Sequence, residues 1–321
     1  MSNTSNMSTN MPNMPNMTNI SNALLVKKGT RVSAHVIAIN VFFIIFCSLC
    51  IYPFLVVLGS SFQSQMDIAK NGYSAIPRPV DFTAYAMVLR NPIQLLNSYI
   101  VTIITTAATS ICGLVVISSF AYVISRRTYK YARILSFYIF VTMLFNGGLV
   151  PTYILMVNWL KLKNNILALI LPMLISAWYV MLMKGFMQSI PDALIESAKI
   201  DGAWELTIYT RIVLPLSTPV MATVGLFLVL QSWNDWWLTL LYIDSDKLMK
   251  LQYLLMRLLK NMEFLNTADA IKYGAVREGV EVPVLSARMA MCVLAAGPML
   301  VVFPFFQKYF VRGITVGSIK G

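Results

Sequence analysis

The sequence predicts an all-α integral membrane protein with six transmembrane helices, and three observations carry that prediction. Hydrophobic residues make up 58% of the 321-residue chain and charged residues only 12%, with a mean hydropathy of +0.69. A soluble globular domain carries about 25% charged residues. Apolar stretches recur that are long enough to cross about 30 Å of hydrocarbon at about 1.5 Å per residue. Lys and Arg collect in short segments beside those stretches, which is the bias that orients helices in a bilayer.

In chain order the expected spans are 36–58, 95–125, 134–158, 166–183, 219–243 and 287–306. Lys27, Lys28 and Arg31 precede the first span, Arg126, Arg127, Lys130 and Arg133 follow the second, and Lys308 and Arg312 follow the last. These clusters assign both termini and the 126–133 loop to the cytoplasm. Six spans then put the polar passage 185–218 on the same side and the loops 59–94 and 244–286 outside. The net charge of +12 is read as topology. Nucleic acid is not an expected partner, because no basic cluster interleaves with aromatics on a soluble surface.

Residues 1–30 form an expected disordered cytoplasmic tail, and 31–321 the six-helix domain. The first 20 residues alternate Asn, Met, Ser, Thr and Pro without a basic start or an apolar run, so they do not read as a signal peptide. Cys47, Cys50, Cys112 and Cys292 fall inside spans and are expected as reduced thiols against lipid. Cys47 and Cys50 lack the second pair or nearby His that a metal site needs, and the single His35 is expected at the membrane interface. No phosphate-cradling G-x-x-x-x-G-K-S/T loop occurs, so neither a metal nor a cofactor is expected in this chain. An embedded enzyme would need convergent nucleophiles, bases or ligands, and a secondary carrier would show charged broken helices in repeated halves. The sequence offers neither pattern, and a stand-alone secondary carrier stays only as the more distant alternative.

The polar passage is the most informative segment. Ser189-Ile190-Pro191-Asp192 has the form of a helix start, with Ser189 as cap, Pro191 in the first turn and Asp192 against the helix dipole. A short helix is expected to about residue 200. Gly202 then allows a sharp turn or a close backbone contact. A second helix is expected over 204–213, ending before Pro215. Ala198 and Gly202 stand four apart, where small side chains admit another protein's surface, and Glu196 is positioned to bond the second helix or a partner's basic group. On composition alone, the passage also reads as a solvated connector.

The pattern resembles the Glu-Ala-Ala-x-x-x-Gly-(nine residues)-Ile-x-Leu-Pro motif, the EAA motif, of the membrane subunits of bacterial ABC importers. Glu196, Ala198, Gly202, Ile212, Leu214 and Pro215 match at the correct spacing, while Ser197 replaces the first Ala with another small residue. At average residue usage, such a match has a chance of about 1 in 10 million at a given start. Asp201-Gly202-Ala203, Trp233-Asn234-Asp235 and the tail from Arg312 to Gly321 are similar to the sugar-transporting branch. From about residue 35 onward the chain resembles the second permease subunit of a maltose-permease-type importer, closest to those for complex oligosaccharides in Gram-positive bacteria.

That resemblance implies a type I ABC importer permease fold in a bacterial plasma membrane. It implies a coupling helix seated in an ATPase subunit, with Glu196, Ser197, Ala198, Asp201, Gly202, Ile212, Leu214 and Pro215 as coupling residues and none of them catalytic. The implied partners are a second homologous permease, two ATPase subunits that bind ATP and Mg, an extracellular substrate-binding lipoprotein, and membrane lipid. An importer of a non-sugar solute is the alternative within the class. A sugar path needs aromatic faces and hydrogen-bonding groups in a cavity between helices. Asn146, Trp178, Tyr179, Trp233, Asn234 and Asp235 are the candidates. The residues around Trp233 to Trp237 also fit an aromatic belt at the outer interface, with Asp235 in water. In the loop 244–286, Leu248, Leu251, Leu254, Leu255, Leu258 and Leu259 recur at helical spacing with Lys250, Arg257 and Lys260 between them. That stripe suits a membrane surface, the companion permease or the lipoprotein.

Overall fold

A computed structural model describes residues 34–267 and 282–317, and every described element is helical. The expected tail 1–30, residues 268–281 of the loop 244–286, and the last four residues of the tail lie outside the described residues. Three helices are long and apolar enough to cross a bilayer unbroken, at His35–Ser60, Pro92–Ser125 and Val284–Phe305. Three bent helix pairs supply the remaining candidates, giving up to six crossings.

The first helix, α1, spans Ala34–Ser60 and carries Cys47 and Cys50 exposed on its surface. Short helices α2 (Gln65–Asn71) and α3 (Thr83–Val88) follow, with Ser64 capping α2 by accepting a hydrogen bond from the Asp67 N–H. The central element is α4, Pro92–Ser125, which begins with its proline where no intrahelical N–H is required. One face of α4 is a run of small polar residues, Ser98, Thr102, Thr105, Thr109 and Gly113, all buried. Small side chains let neighbouring backbones approach closely within a membrane. A Cβ at Gly113 would lie 3.0 Å from the Leu174 carbonyl oxygen.

The expected single spans at 134–158, 166–183 and 219–243 are each broken. Helix α5 (Ala132–Leu144) and α6 (Leu149–Ile154, extended by a π turn Leu155–Trp159) meet at 110°. The corner is Asn146-Gly147-Gly148, where Gly148 takes φ +86° and donates its N–H to Asn146 Oδ1. Helix α7 (Leu167–Ile170) passes through a 3-10 turn containing Pro172 and bends by 47° into α8 (Ala177–Gln188). Helix α9 (Asp192–Ile200) precedes α10 (Glu205–Ile208), a π turn (Tyr209–Val213) and α11 (Leu214–Leu216). This composite Glu205–Leu216 limb turns by 79° into α12, Thr218–Trp233. The fifth crossing thus stops at Trp233, and α13 (Trp237–Tyr242) is separate.

Helix α14, Leu251–Leu265, resolves the amphipathic stripe. Leu251, Leu254, Leu255 and Met262 are buried against Val88 of α3, Leu95 of α4, and Ala287 and Met291 of the last helix, α15 (Val284–Gly317). The stripe therefore packs within its own chain, which corrects the expectation of a membrane-surface or partner-facing helix. A separate core joins α4, α8, α9, α10 and α12 through Ile117, Val180, Met183, Ile195, Ile208 and Val224.

Candidate functional site

The polar passage forms a rigid corner. Helix α9 ends in a left-handed turn at Gly202, φ +78°, where the Ala203 N–H donates to Ala198 O at 2.9 Å and the Gly202 N–H to Lys199 O at 3.0 Å. This paired closure satisfies carbonyls that a helix end leaves open, and it demands a residue without a Cβ penalty. Within the chain nothing lies within 4 Å of a Cβ built on Gly202, so the turn's positive φ is what calls for glycine here.

Ser189 does not cap α9. Its hydroxyl donates to Phe186 O at 2.7 Å, and Pro191 takes the cap position without a side-chain hydrogen bond. The second limb runs past its expected end before Pro215, because the π turn ahead of the proline opens the ladder where Pro215 would otherwise collide with a carbonyl.

The motif residues divide by direction. Ala198 is buried in the chain's own core beside Ile195. Ile212 packs on the same core, and Leu214 is half-buried. Glu196, Ser197, Asp201 and Pro215 are exposed. Glu196 has no hydrogen-bond partner among the described residues, so the expected bond to the second limb is absent there. Lys199 makes that link instead, its Nζ 2.6 Å from Glu205 Oε1. Tyr122 of α4 donates to Glu205 Oε2 at 2.5 Å, and the Tyr209 hydroxyl meets Ser118 Oγ at 2.8 Å. Hydrogen bonds from Lys199 and then Tyr122 hold the Glu205 carboxyl below its ordinary range. Around the turn, Ile200, Trp204 and Leu206 stand 86%, 83% and 72% exposed. Three large apolar side chains on one fixed corner form a patch suited to a partner surface.

The expected solute-facing residues do not gather in one place. Trp178 and Tyr179 stand on α8 against Phe227 of α12, with Tyr179 stacked on Phe227 at 6.0 Å and its hydroxyl donating to Gln231 Oε1 at 3.1 Å. Phe227 and Gln231 were not singled out from the sequence; their spacing of four, facing the aromatic pair on α8, was the available signal. Asn146 is exposed at the α5–α6 corner. Asn234 is exposed and lies 3.5 Å from Gln252 Nε2. Trp233 is only 4% exposed and donates its indole N–H to Ala295 O at 3.0 Å. Asp235 is buried, pairs with Lys250 at 3.3 Å, and accepts the Leu238 N–H at 3.2 Å at the start of α13. Its carboxylate is therefore not in water at an outer belt.

The described helices, with up to six candidate membrane crossings among them and a partly apolar corner exposed between two of them, make this a polytopic membrane protein of the kind that a transport component requires. Residues 115–316 match the family described as binding-protein-dependent transport system inner membrane component, and the chain belongs to that family. It is 36% identical over 283 residues to the polygalacturonan/rhamnogalacturonan transport system permease protein YtcP of Bacillus subtilis strain 168, covering 87% of this chain and 96% of that one. It is 35% identical over 274 residues to Protein LplC of the same organism, covering 85% and 90%. A solved bacterial ABC transporter involved in the import of the acidic polysaccharide alginate contains a similar chain, with a TM-score of 0.70, 25% identity, and coverage of 94% of this chain and 100% of that one.

Proposed function

We propose that this chain is one of two homologous permeases of an ATP-driven oligosaccharide importer and that the 189–215 corner is its coupling element. The observation that carries the reading is the exposed trio Ile200, Trp204 and Leu206 on a turn locked by Gly202 and tied to α4 through Glu205 and Tyr122. Two ATPase subunits, which bind ATP and Mg, receive this corner on the cytoplasmic side, where both termini also lie. Their closure biases the permease pair between inward-facing and outward-facing states. An extracellular binding lipoprotein delivers the solute.

The sugar class rests on one relative named for polygalacturonan and rhamnogalacturonan transport, and on the Trp178, Tyr179 and Phe227 faces with Gln231 beside them. Aromatic faces stack on sugar rings, and amides bond hydroxyls. Asn146 and Asn234 remain exposed polar groups for the path, whereas Trp233 and Asp235 have internal partners and support it.

The test is substrate-stimulated ATP hydrolysis and uptake by the assembled complex in liposomes, comparing the native chain with Gly202→Asp. The variant puts a side chain at a left-handed position and is expected to assemble yet lose stimulated hydrolysis and uptake. Unchanged activity would mean that the corner is a solvated connector.

A further inference from the structure

Two clefts lie end to end between the same three helices, α4, α5 and α8. The first, about 720 Å³, is lined by Arg126, Arg127, Lys130, Arg133 and Lys184, and no carboxylate lines it. None of these five cations forms an ion pair among the described residues. Arg126 Nε and Nη2 are buried without a hydrogen-bond partner, and the Arg126 guanidinium lies 4.8 Å over the Tyr122 ring, within electrostatic reach of the Glu205 carboxylate. The second cleft, about 380 Å³, is lined by Val116, Phe120, Tyr138, Ile139, Thr142 and Val180. Val180 and Lys184 stand one turn apart on α8, about 6 Å of rise, as do Phe120 and Ile124 on α4. The basic cleft thus continues directly into an apolar one along the helix axes. On the outer side of α5, Ile134, Phe137 and Tyr138 are more than 60% exposed, so both clefts open where an apolar helix surface begins.

We propose that these paired clefts hold one anionic phospholipid, its phosphate among Arg126, Arg133 and Lys184 and an acyl chain along Tyr138, Ile139 and Val180. A concentration of Lys and Arg beside a span is expected from topology alone. Topology does not require that Lys184 of α8, whose Nζ donates to Ser136 Oγ of α5 at 2.9 Å, line the same cleft as the 126–133 cations, or that an apolar groove begin one turn further on. The ligand must therefore be amphipathic, which a free phosphate is not. The proposal does not depend on what the transporter carries or on how it couples to ATP.

Native mass spectrometry of the purified transporter complex tests it, with phosphatidylglycerol as the probe and phosphatidylcholine, inorganic phosphate and glycerol 3-phosphate as comparisons. Phosphatidylglycerol is expected to stay bound where phosphatidylcholine does not, and each neutralised cation to weaken retention about fivefold. Arg133→Gln and Lys184→Gln are the charge variants, with Lys184→Arg retaining the lipid. Thr142→Trp, which fills the apolar cleft and leaves the cations in place, is expected to release it as well. Arg133 is exposed, so its variant decides the question even if a buried substitution fails to assemble. Equal retention of both lipids, or no effect of the charge variants, overturns the proposal. Displacement by inorganic phosphate with Thr142→Trp unaffected would make this a phosphate site, and a cross-link from Ile139→Cys to the companion permease would show the groove filled by protein. Either result also overturns it.

Discussion

Lys250 has no exposed surface, and its ammonium donates to Ser232 O at 2.5 Å and reaches Asp235 Oδ2 at 3.3 Å. The next residue, Leu251, donates its backbone N–H to Thr102 Oγ1 at 2.8 Å, so the start of α14 is pinned to both α12 and α4. Removing one partner of a buried pair strands the other charge, at a cost of about 3–5 kcal/mol. Asp235→Ala is therefore expected to lower recovery and thermal stability of the assembled complex, and Asp235→Ala with Lys250→Met to restore much of the loss; a thermal-shift series on the purified complex reads both. The sequence singled out Asp235 as a path candidate and Lys250 within the leucine stripe but did not pair them, because a contact between residues 15 apart in different segments leaves no periodic signal. A gentler test concerns Glu205. Its depressed pKa means that its link to Lys199 and Tyr122 is fully formed above the ordinary carboxylate value of 4.5 and is lost as pH falls through the lower folded value. Glu205→Gln should abolish that acid dependence of coupling and cost at most about 1 kcal/mol at neutral pH, since the pair is half exposed. Stimulated ATP hydrolysis followed from neutral to acid pH checks it.

At the scale of elements, α14 shows what periodicity can and cannot tell. The Leu stripe announced an amphipathic helix, and the helix is there, but an apolar face does not name what covers it. Because the cover is α3, α4 and α15, Leu254→Ala should create an internal cavity and destabilise the protein by about 2–5 kcal/mol, read by thermal unfolding. A stripe lying on lipid would tolerate that change. The broken spans were hidden for a related reason. Hydropathy averages over a window, and the α5–α6 corner is only Asn146-Gly147-Gly148 within otherwise apolar sequence. Its glycine pair was readable as a breaker. The small-residue face of α4 was equally present as Ser and Thr three or four apart, but in the sequence it simply looked like a slightly less apolar span.

For the whole molecule, composition was enough to place the chain in a membrane, and the Glu196 to Pro215 pattern was enough to place it among importer permeases. The motif revealed its register but not its direction. Three of its seven fixed positions, Ala198, Ile212 and Leu214, are at least partly buried and build the corner, while the large exposed residues Trp204 and Leu206 lie in its spacer. Orientation is testable across the bilayer. In a cysteine-free background, Asp192→Cys is expected to react with an impermeant thiol reagent only from the cytoplasm, and Asn71→Cys only from outside. Labelling of whole cells against inverted vesicles distinguishes the two, and the reverse pattern would invert the topology.

The elbow between the Glu205–Leu216 limb and α12 turns by 79°, and Ser217, fully buried there, donates its N–H to both Val213 O and Leu214 O. If that angle is held, the corner acts as a bell crank: its two arms, with α4 tied to the short one through Tyr122, rotate together. The short arm is about 18 Å long at about 1.5 Å per residue, so a swing of about 10° carries its far end about 3 Å. Whatever tilts α12 by that amount sweeps Trp204 through a distance comparable to a side-chain contact. A push at Trp204 returns the same torque to the spanning helix.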